Sequence, residues 1–114
     1  MNKEVQKPWG SYRIINIGKN HLVKEIIVKS GQKLSLQSHN HRSEHWIVVQ
    51  GVAKVTAIEK EILLRENENI FIPKKSKHRL ENNNNEDLII IEIQYGSDLR
   101  EDDIIRYDDI YDRI

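Results

Sequence analysis

The chain has 114 residues, in which 18 Lys and Arg balance 18 Asp and Glu, and it contains no cysteine. That length suits one domain with a real core, and the even charge leaves no global field to steer it toward nucleic acid or an acidic membrane. Without cysteine, disulfides and thiolate chemistry are excluded, and His, Asp, Glu and Gln become the available metal ligands.

The amino terminus, MNKEVQKPWGSY, carries charge but no apolar signal core. No apolar run approaches the ~20 residues of a membrane span, so a soluble cytoplasmic protein is the expectation. Short runs rich in Ile, Val and Leu then recur at Ser11–Ile17, His21–Val28, Lys33–His41, His45–Val49, Ala53–Ile58, Glu61–Arg65, Asn69–Ile72, Lys77–Glu81 and Leu88–Tyr95. Gly, Asn and Pro punctuate them, at Gly18–Asn20, Ser30–Gly31, Gly51, Pro73–Ser76 and Asn82–Asn85 among other breaks. Strands this short at this spacing predict an all-β antiparallel sandwich or barrel. The tail, DLREDDIIRYDDIYDRI, has mixed periodicity and reads as an arm or short helix covering a sheet face. No linker or repeat divides the chain, so one domain is expected over residues 1–114.

Side chains alternate between the two faces of a strand. From Lys33, one face reads Lys33, Ser35, Gln37, His39, His41, and the other Leu34, Leu36, Ser38, Asn40. Glu44 follows after an expected turn, with Trp46 and Val48 at its parity. Downstream, IPKKSKHRLEN presents His78, and LIIIEIQYG interrupts an apolar strand with Glu92 and Gln94. A carboxylate and an amide inside a run of isoleucines need partners if they are buried. These segments together suggest a barrel with a polar pocket at its mouth, where imidazole nitrogens and a carboxylate hold a metal. An ordinary polar sheet edge is the plain alternative, and His21, in a turn, and His45, opposite Glu44, are read as structural. Alternation alone does not choose among Gln37, His39 and His41.

At this point the sequence resembles the cupin superfamily. Its motifs run histidine–x–histidine, three or four residues, glutamate, six residues, glycine, and later proline–x–glycine–x–x–histidine, three residues, asparagine. Here Gly51 follows Glu44 at that distance, and His78 and Asn82 follow Pro73. The blocks KPWGSY, GQKLSLQSHNHRSEHWIVVQGVAKV, ENENIFIPKKSKHRLEN and EIQYGSDLREDDIIRYDD are similar to the type II phosphomannose isomerase domain. That domain usually forms the carboxyl-terminal part of a bifunctional enzyme whose other half is a mannose-1-phosphate guanylyltransferase. No glycine-rich nucleotide-binding segment occurs in these 114 residues, so a free-standing isomerase domain is the expectation. The resemblance covers about Pro8 to Tyr111 and implies a cupin-type jelly roll.

Counting back from Glu44 by the family spacing places the motif's histidines at His39 and, as glutamine, Gln37. The implied ligand set is Gln37, His39, Glu44 and His78, with His41 as second choice. It implies a divalent metal, with Zn, Mn, Fe, Co and Ni not distinguished. The implied reaction interconverts mannose 6-phosphate and fructose 6-phosphate through an enediolate, which needs a base and a cation for the phosphate. Glu92 is the candidate base or support, Lys33 on the stripe face a candidate for phosphate or oxyanion, and Arg79 a candidate that needs a bulge to turn inward. The alternatives are a non-catalytic cupin that binds a sugar or nucleotide sugar in polysaccharide synthesis, and a metal-free structural module. A homodimer is expected by the same resemblance. Where the motif has glycine the chain has Lys75, which strains the turn by around 1 kcal/mol if that site requires a positive φ.

Overall fold

The structure is a computed structural model that describes residues 3–113. Eleven strands follow in order: β1 Glu4–Lys7, β2 Gly10–Ile17, β3 His21–Val28, β4 Leu36–Ser38, β5 Arg42–Gln50, β6 Ala53–Ala57, β7 Lys60–Leu64, β8 Asn69–Ile72, β9 His78–Glu81, β10 Leu88–Gly96 and β11 Ile105–Asp108. They form two antiparallel sheets, ordered β1-β2-β3-β10-β5-β8 and β11-β4-β9-β6-β7. No helix occurs among the described residues. The all-β expectation holds, with both sheets packed across one core.

Alternation in β3, β5 and β10 decides what that core contains. Each strand buries every second residue, so Leu22, Lys24, Ile26 and Val28 face inward beside Arg42, Glu44, Trp46 and Val48 and beside Leu88, Ile90, Glu92 and Gln94. Register lines these up in rows: Ile90 lies opposite Ile26 and Val48, Glu92 opposite Lys24 and Trp46, and Gln94 opposite Leu22 and Glu44. One end of the interior is therefore apolar, completed by Val55 and Leu80 from the facing sheet. Its buried aliphatic side chains each contribute about 1.5–3 kcal/mol. The other end is polar, and there β4 and β9 place Gln37 directly opposite His78.

Several sequence expectations change. The run Lys33–His41 is not one strand: only Leu36–Ser38 pairs regularly, and Lys33 makes an isolated bridge to Glu81. Leu34 and Ser35 are both buried, as are Ser38 and His39, so strict alternation fails at both ends. Lys33 accordingly directs its ammonium to Glu81 at 3.9 Å rather than into the interior. His41 is exposed, because the Asp103 carboxylate accepts the backbone N–H of Asn40 and His41 and turns the chain into β5. The tail is an arm rather than a helix. Its β11 adds to β4, and Tyr111 packs against the core while its hydroxyl meets Gln32. Lys75 does sit in the left-handed region, at φ 71°.

Candidate metal centre and cavity

His39, Glu44 and His78 converge from three segments, with one ligand atom from each lying within 4.8 Å of the others, all fully buried. Glu44 projects from near the start of β5, and His78 opens β9 just after the Pro73–Lys77 turn. His39 follows β4, where the Lys75 backbone N–H donates to its carbonyl at 2.8 Å. Gln37 is buried on β4 opposite His78 and lines the adjoining cavity with His39 and Glu44.

Hydrogen bonds fix which ring nitrogen carries the proton. Nδ1 of His39 donates to the Asp103 carbonyl at 2.7 Å, and Nδ1 of His78 donates to the Ser76 carbonyl at 3.0 Å. These partners assign the proton to Nδ1 in each ring and leave the Nε2 lone pair facing Glu44. His39 Nε2 lies 3.1 Å from Glu44 Oε2, and His78 Nε2 lies 3.7 Å from Glu44 Oε1. Burial, helped by the Arg42 guanidinium, pulls His39 down to about 4, and burial pulls His78 down as well. Both imidazoles are thus neutral near pH 7, and the close contacts to Glu44 are not ion pairs. They bring lone pairs toward a carboxylate: the Arg42 guanidinium bridges the contact at His39, and a shared cation would relieve the one at His78.

His78 Nε2 is buried without a hydrogen-bond partner, which costs about 1–3 kcal/mol. A divalent cation shared by the two imidazole nitrogens and the Glu44 carboxylate would satisfy that orphan, and nitrogen with oxygen donors suits such an ion. Carbonyl groups on Nδ1 orient both rings, as backing partners commonly do for ligand histidines.

The cavity beside the cluster is lined by Tyr12, Lys24, Arg42, Glu92, Glu101 and Arg106 among others. Arg42 Nε donates to Glu44 Oε2 at 2.8 Å, and its NH2 approaches His39 Nε2 at 3.3 Å. Trp46 Nε1 is shared between Glu44 Oε1 and Glu92 Oε1, each at 3.0 Å, and Gln94 donates to Glu92 Oε2 at 2.8 Å. Burial raises the Glu92 carboxyl above the usual range, with the neighbouring Glu44 charge adding to the shift. The Tyr12 hydroxyl is pushed up to about 12 by burial and by the Glu101 carboxylate.

The family scan matches residues 1–109 to the model described as "Mannose-6-phosphate isomerase C-terminal". The chain belongs to that family. Among curated relatives, it is 54% identical over 110 residues to "Alginate biosynthesis protein AlgA" of Pseudomonas aeruginosa, covering 96% of this chain and 23% of the relative. It is 48% identical over 114 residues to "Mannose-1-phosphate guanylyltransferase ManC" of Salmonella typhimurium, covering 100% of this chain and 24% of the relative. The chain therefore spans about a quarter of the length of these relatives. An RmlC-like cupin from Shewanella frigidimarina superposes with TM-score 0.76 at 17% identity, covering 89% of this chain and 87% of that one. The capsular polysaccharide assembling protein CapF of Staphylococcus aureus gives 0.80 at 20% identity, covering 93% and 34%. At such identities these likenesses establish the cupin fold alone.

Within this family domain, the structure brings Gln37, His39, Glu44, His78 and Glu92 to one interior. Lys33 and Arg79 lie elsewhere: Arg79 donates to the Leu34 carbonyl and to Asp108, clamping the tail arm. His45 faces outward and meets Asn69, and His21 packs over Gly18. Arg42, Lys24 and Tyr12 line the cavity but lie outside the site predicted from the sequence. Arg42 has the parity of Glu44 and Trp46, and Lys24 that of Leu22, Ile26 and Val28, so each is a charge on an inward face. That was the available signal.

Proposed function

We propose that this chain is a metal-dependent aldose–ketose isomerase that interconverts mannose 6-phosphate and fructose 6-phosphate. The orphaned Nε2 of His78, aimed at Glu44 beside a second neutral imidazole, is the observation that carries the reading. Gln37, His39, Glu44 and His78 would hold a divalent ion, which supplies Lewis-acid polarisation of sugar oxygens and stabilises developing negative charge. His41, exposed beyond the turn, has a weaker claim than Gln37 to a place in that set.

The chain's own groups then divide the remaining work. Isomerisation moves a proton between C2 and C1 of the open-chain sugar, so it needs a group that takes and returns one proton. Glu92 lines the cavity and has a raised carboxyl, and Trp46 and Gln94 hold both its oxygens in place. Arg42 holds Glu44 and keeps a guanidinium in the lining, near where an oxyanion would form. Trp9, Ile26 and Leu34 give the cavity an apolar wall that limits water. On the same reading residues 1–114 act as one domain, in the cytoplasm where sugar phosphates are made and used. We also take the active form to be a homodimer. The outer face of the large sheet carries Val23, Ile27, Ile47, Ile91, Ile93 and Phe71, which a second copy would cover.

Coupled detection of fructose 6-phosphate from mannose 6-phosphate, on metal-loaded protein, tests the proposal. Turnover that chelation abolishes and a divalent metal restores is expected. Sugar phosphate binding with no product under any of Zn²⁺, Mn²⁺, Co²⁺, Ni²⁺ or Fe²⁺ would leave a binding protein instead.

A further inference from the structure

A second charged feature occupies the cavity, apart from the metal-binding side chains. Lys24 is only 5% exposed, the one buried lysine among the described residues. The alternation of β3 turns it inward among Leu22, Ile26 and Val28. Its ammonium lies 4.1 Å from the Tyr12 ring centroid and 2.8 Å from Glu101 Oε2. A buried ammonium needs a partner, because leaving it uncompensated is strongly destabilising.

The partner is unusual. Glu101 sits on the connection between β10 and β11, and its side chain is 49% exposed. Of the carboxylates that line the cavity, Glu44 and Glu92 are buried and Glu101 is not. The chain is tied down on both sides of it: the Arg100 carbonyl accepts from Arg42 NH1 at 3.4 Å, and Asp103 accepts the Asn40 and His41 N–H groups. The Glu101 side chain can therefore swing to solvent without undoing the contacts that orient His39. Arg106 reaches the same cavity from β11, where it pairs with Gln37, and its Nε is buried without a hydrogen-bond partner. An unpaired guanidinium donor and a lysine held by a solvent-accessible carboxylate thus line one cavity. Both groups favour a planar or tetrahedral oxyanion.

We propose that Lys24 and Arg106 form the subsite for the phosphate group of a phosphate monoester, and that Glu101 is its resident placeholder, displaced when the phosphate binds. For the sugar part of the ligand this rests on the isomerase reading above. A phosphate dianion offers more charge and more acceptor oxygens than one carboxylate, so the exchange favours the ligand. Glu101 lowers apparent affinity by the fraction of time it fills the subsite, and it keeps Lys24 paired when the cavity holds no substrate.

The test is calorimetric titration of the full chain, stripped of metal so that the His39–Glu44–His78 cluster contributes no metal-bound anion. Inorganic phosphate, fructose 6-phosphate and fructose serve as probes. Glu101→Gln is expected to bind phosphate and fructose 6-phosphate about tenfold more tightly than the parent, with fructose unchanged. Lys24→Met in the Glu101→Gln background is expected to abolish that binding. Arg106→Gln, at a half-buried position on an edge strand, is expected to weaken it several-fold with an unchanged unfolding transition. Unchanged or weaker phosphate binding by Glu101→Gln overturns the proposal, as does unchanged binding when Arg106 is replaced. Neither readout needs turnover. Phosphate binding gated by Glu101 in a protein that never isomerises mannose 6-phosphate keeps the subsite and removes the isomerase reading. Isomerisation with phosphate affinity indifferent to Glu101 does the reverse.

Discussion

Replacing Lys75 by glycine should stabilise the protein, although lysine has more side chain to pack. Lys75 holds φ 71° and is exposed, in the turn between Pro73 and His78. A side-chain-bearing residue pays about 1–2 kcal/mol for left-handed backbone, and glycine does not. Glycine in turn loses more chain entropy on folding, by about 0.5–1 kcal/mol, so the net gain is about 0.5–1 kcal/mol. For 114 residues, an unfolding entropy near 0.24 kcal/mol/K converts this to about 2–4 °C in Tm. The bond from the residue 75 N–H to the His39 carbonyl survives the change, so the cluster geometry should too. Thermal and urea unfolding of Lys75→Gly, with Lys75→Asn expected to fall between the two, is the assay. A Lys75→Gly protein less stable than the parent would show that the left-handed turn carries no strain and that side-chain contacts of Lys75 dominate.

Metal at a hundred times its Kd should add about 2.7 kcal/mol, a Tm rise of about 11 °C, and His78→Ala should lose most of that rise. In metal-stripped protein His39 titrates near 4, against 6.5 for its ordinary value. The unfolded chain therefore binds the extra proton between those values, and stability should fall as pH drops from about 6.5 to about 4, by at most about 3 kcal/mol. His78 shifts in the same direction, whereas the raised Glu92 acts in the opposite sense, so comparison with His39→Gln isolates the effect; an equally steep profile in that variant would assign it elsewhere. Arg42→Met should cost metal-stripped protein about 3 kcal/mol by leaving Glu44 without its buried cation, yet enlarge the metal-induced Tm rise, since the ion no longer competes with a guanidinium. Sedimentation should give a dimer that Ile91→Lys on the outer sheet face dissociates, and a monomer for the parent chain would reject that assembly.

The sequence made the strands legible where one face is buried, because a period of two is then imposed along the whole segment. The inward residues of β3, β5 and β10 follow such a pattern without a break. It was misleading between Lys33 and His41, where contacts from distant residues override alternation. The Leu34 N–H bonds the Leu80 carbonyl, and Asp103 captures the amides of Asn40 and His41 from more than sixty positions away. No local pattern announces such partners, and for the same reason Lys33 was expected on the cavity side and turned out beside Glu81. The strands β1 and β11 were also missed, since each is a four-residue edge strand in which no residue is fully buried. The spacing of the resembled family's motifs points to Gln37, His39, Glu44 and His78, and the structure brings His39, Glu44 and His78 together with Gln37 in the adjoining cavity wall. Arg42 and Lys24 were hidden among many exposed cations, although parity with apolar neighbours marks both.

Whether the buried cluster is a working metal centre is open to one titration. Protein stripped of metal is given increasing divalent ion while fructose 6-phosphate formation from mannose 6-phosphate is followed, with His78→Ala in parallel. Activity that climbs from nothing and levels off at about one ion per chain, and is missing in the variant, is the expected result. Full turnover in chelated protein, or an activation unaffected by losing His78, would contradict it.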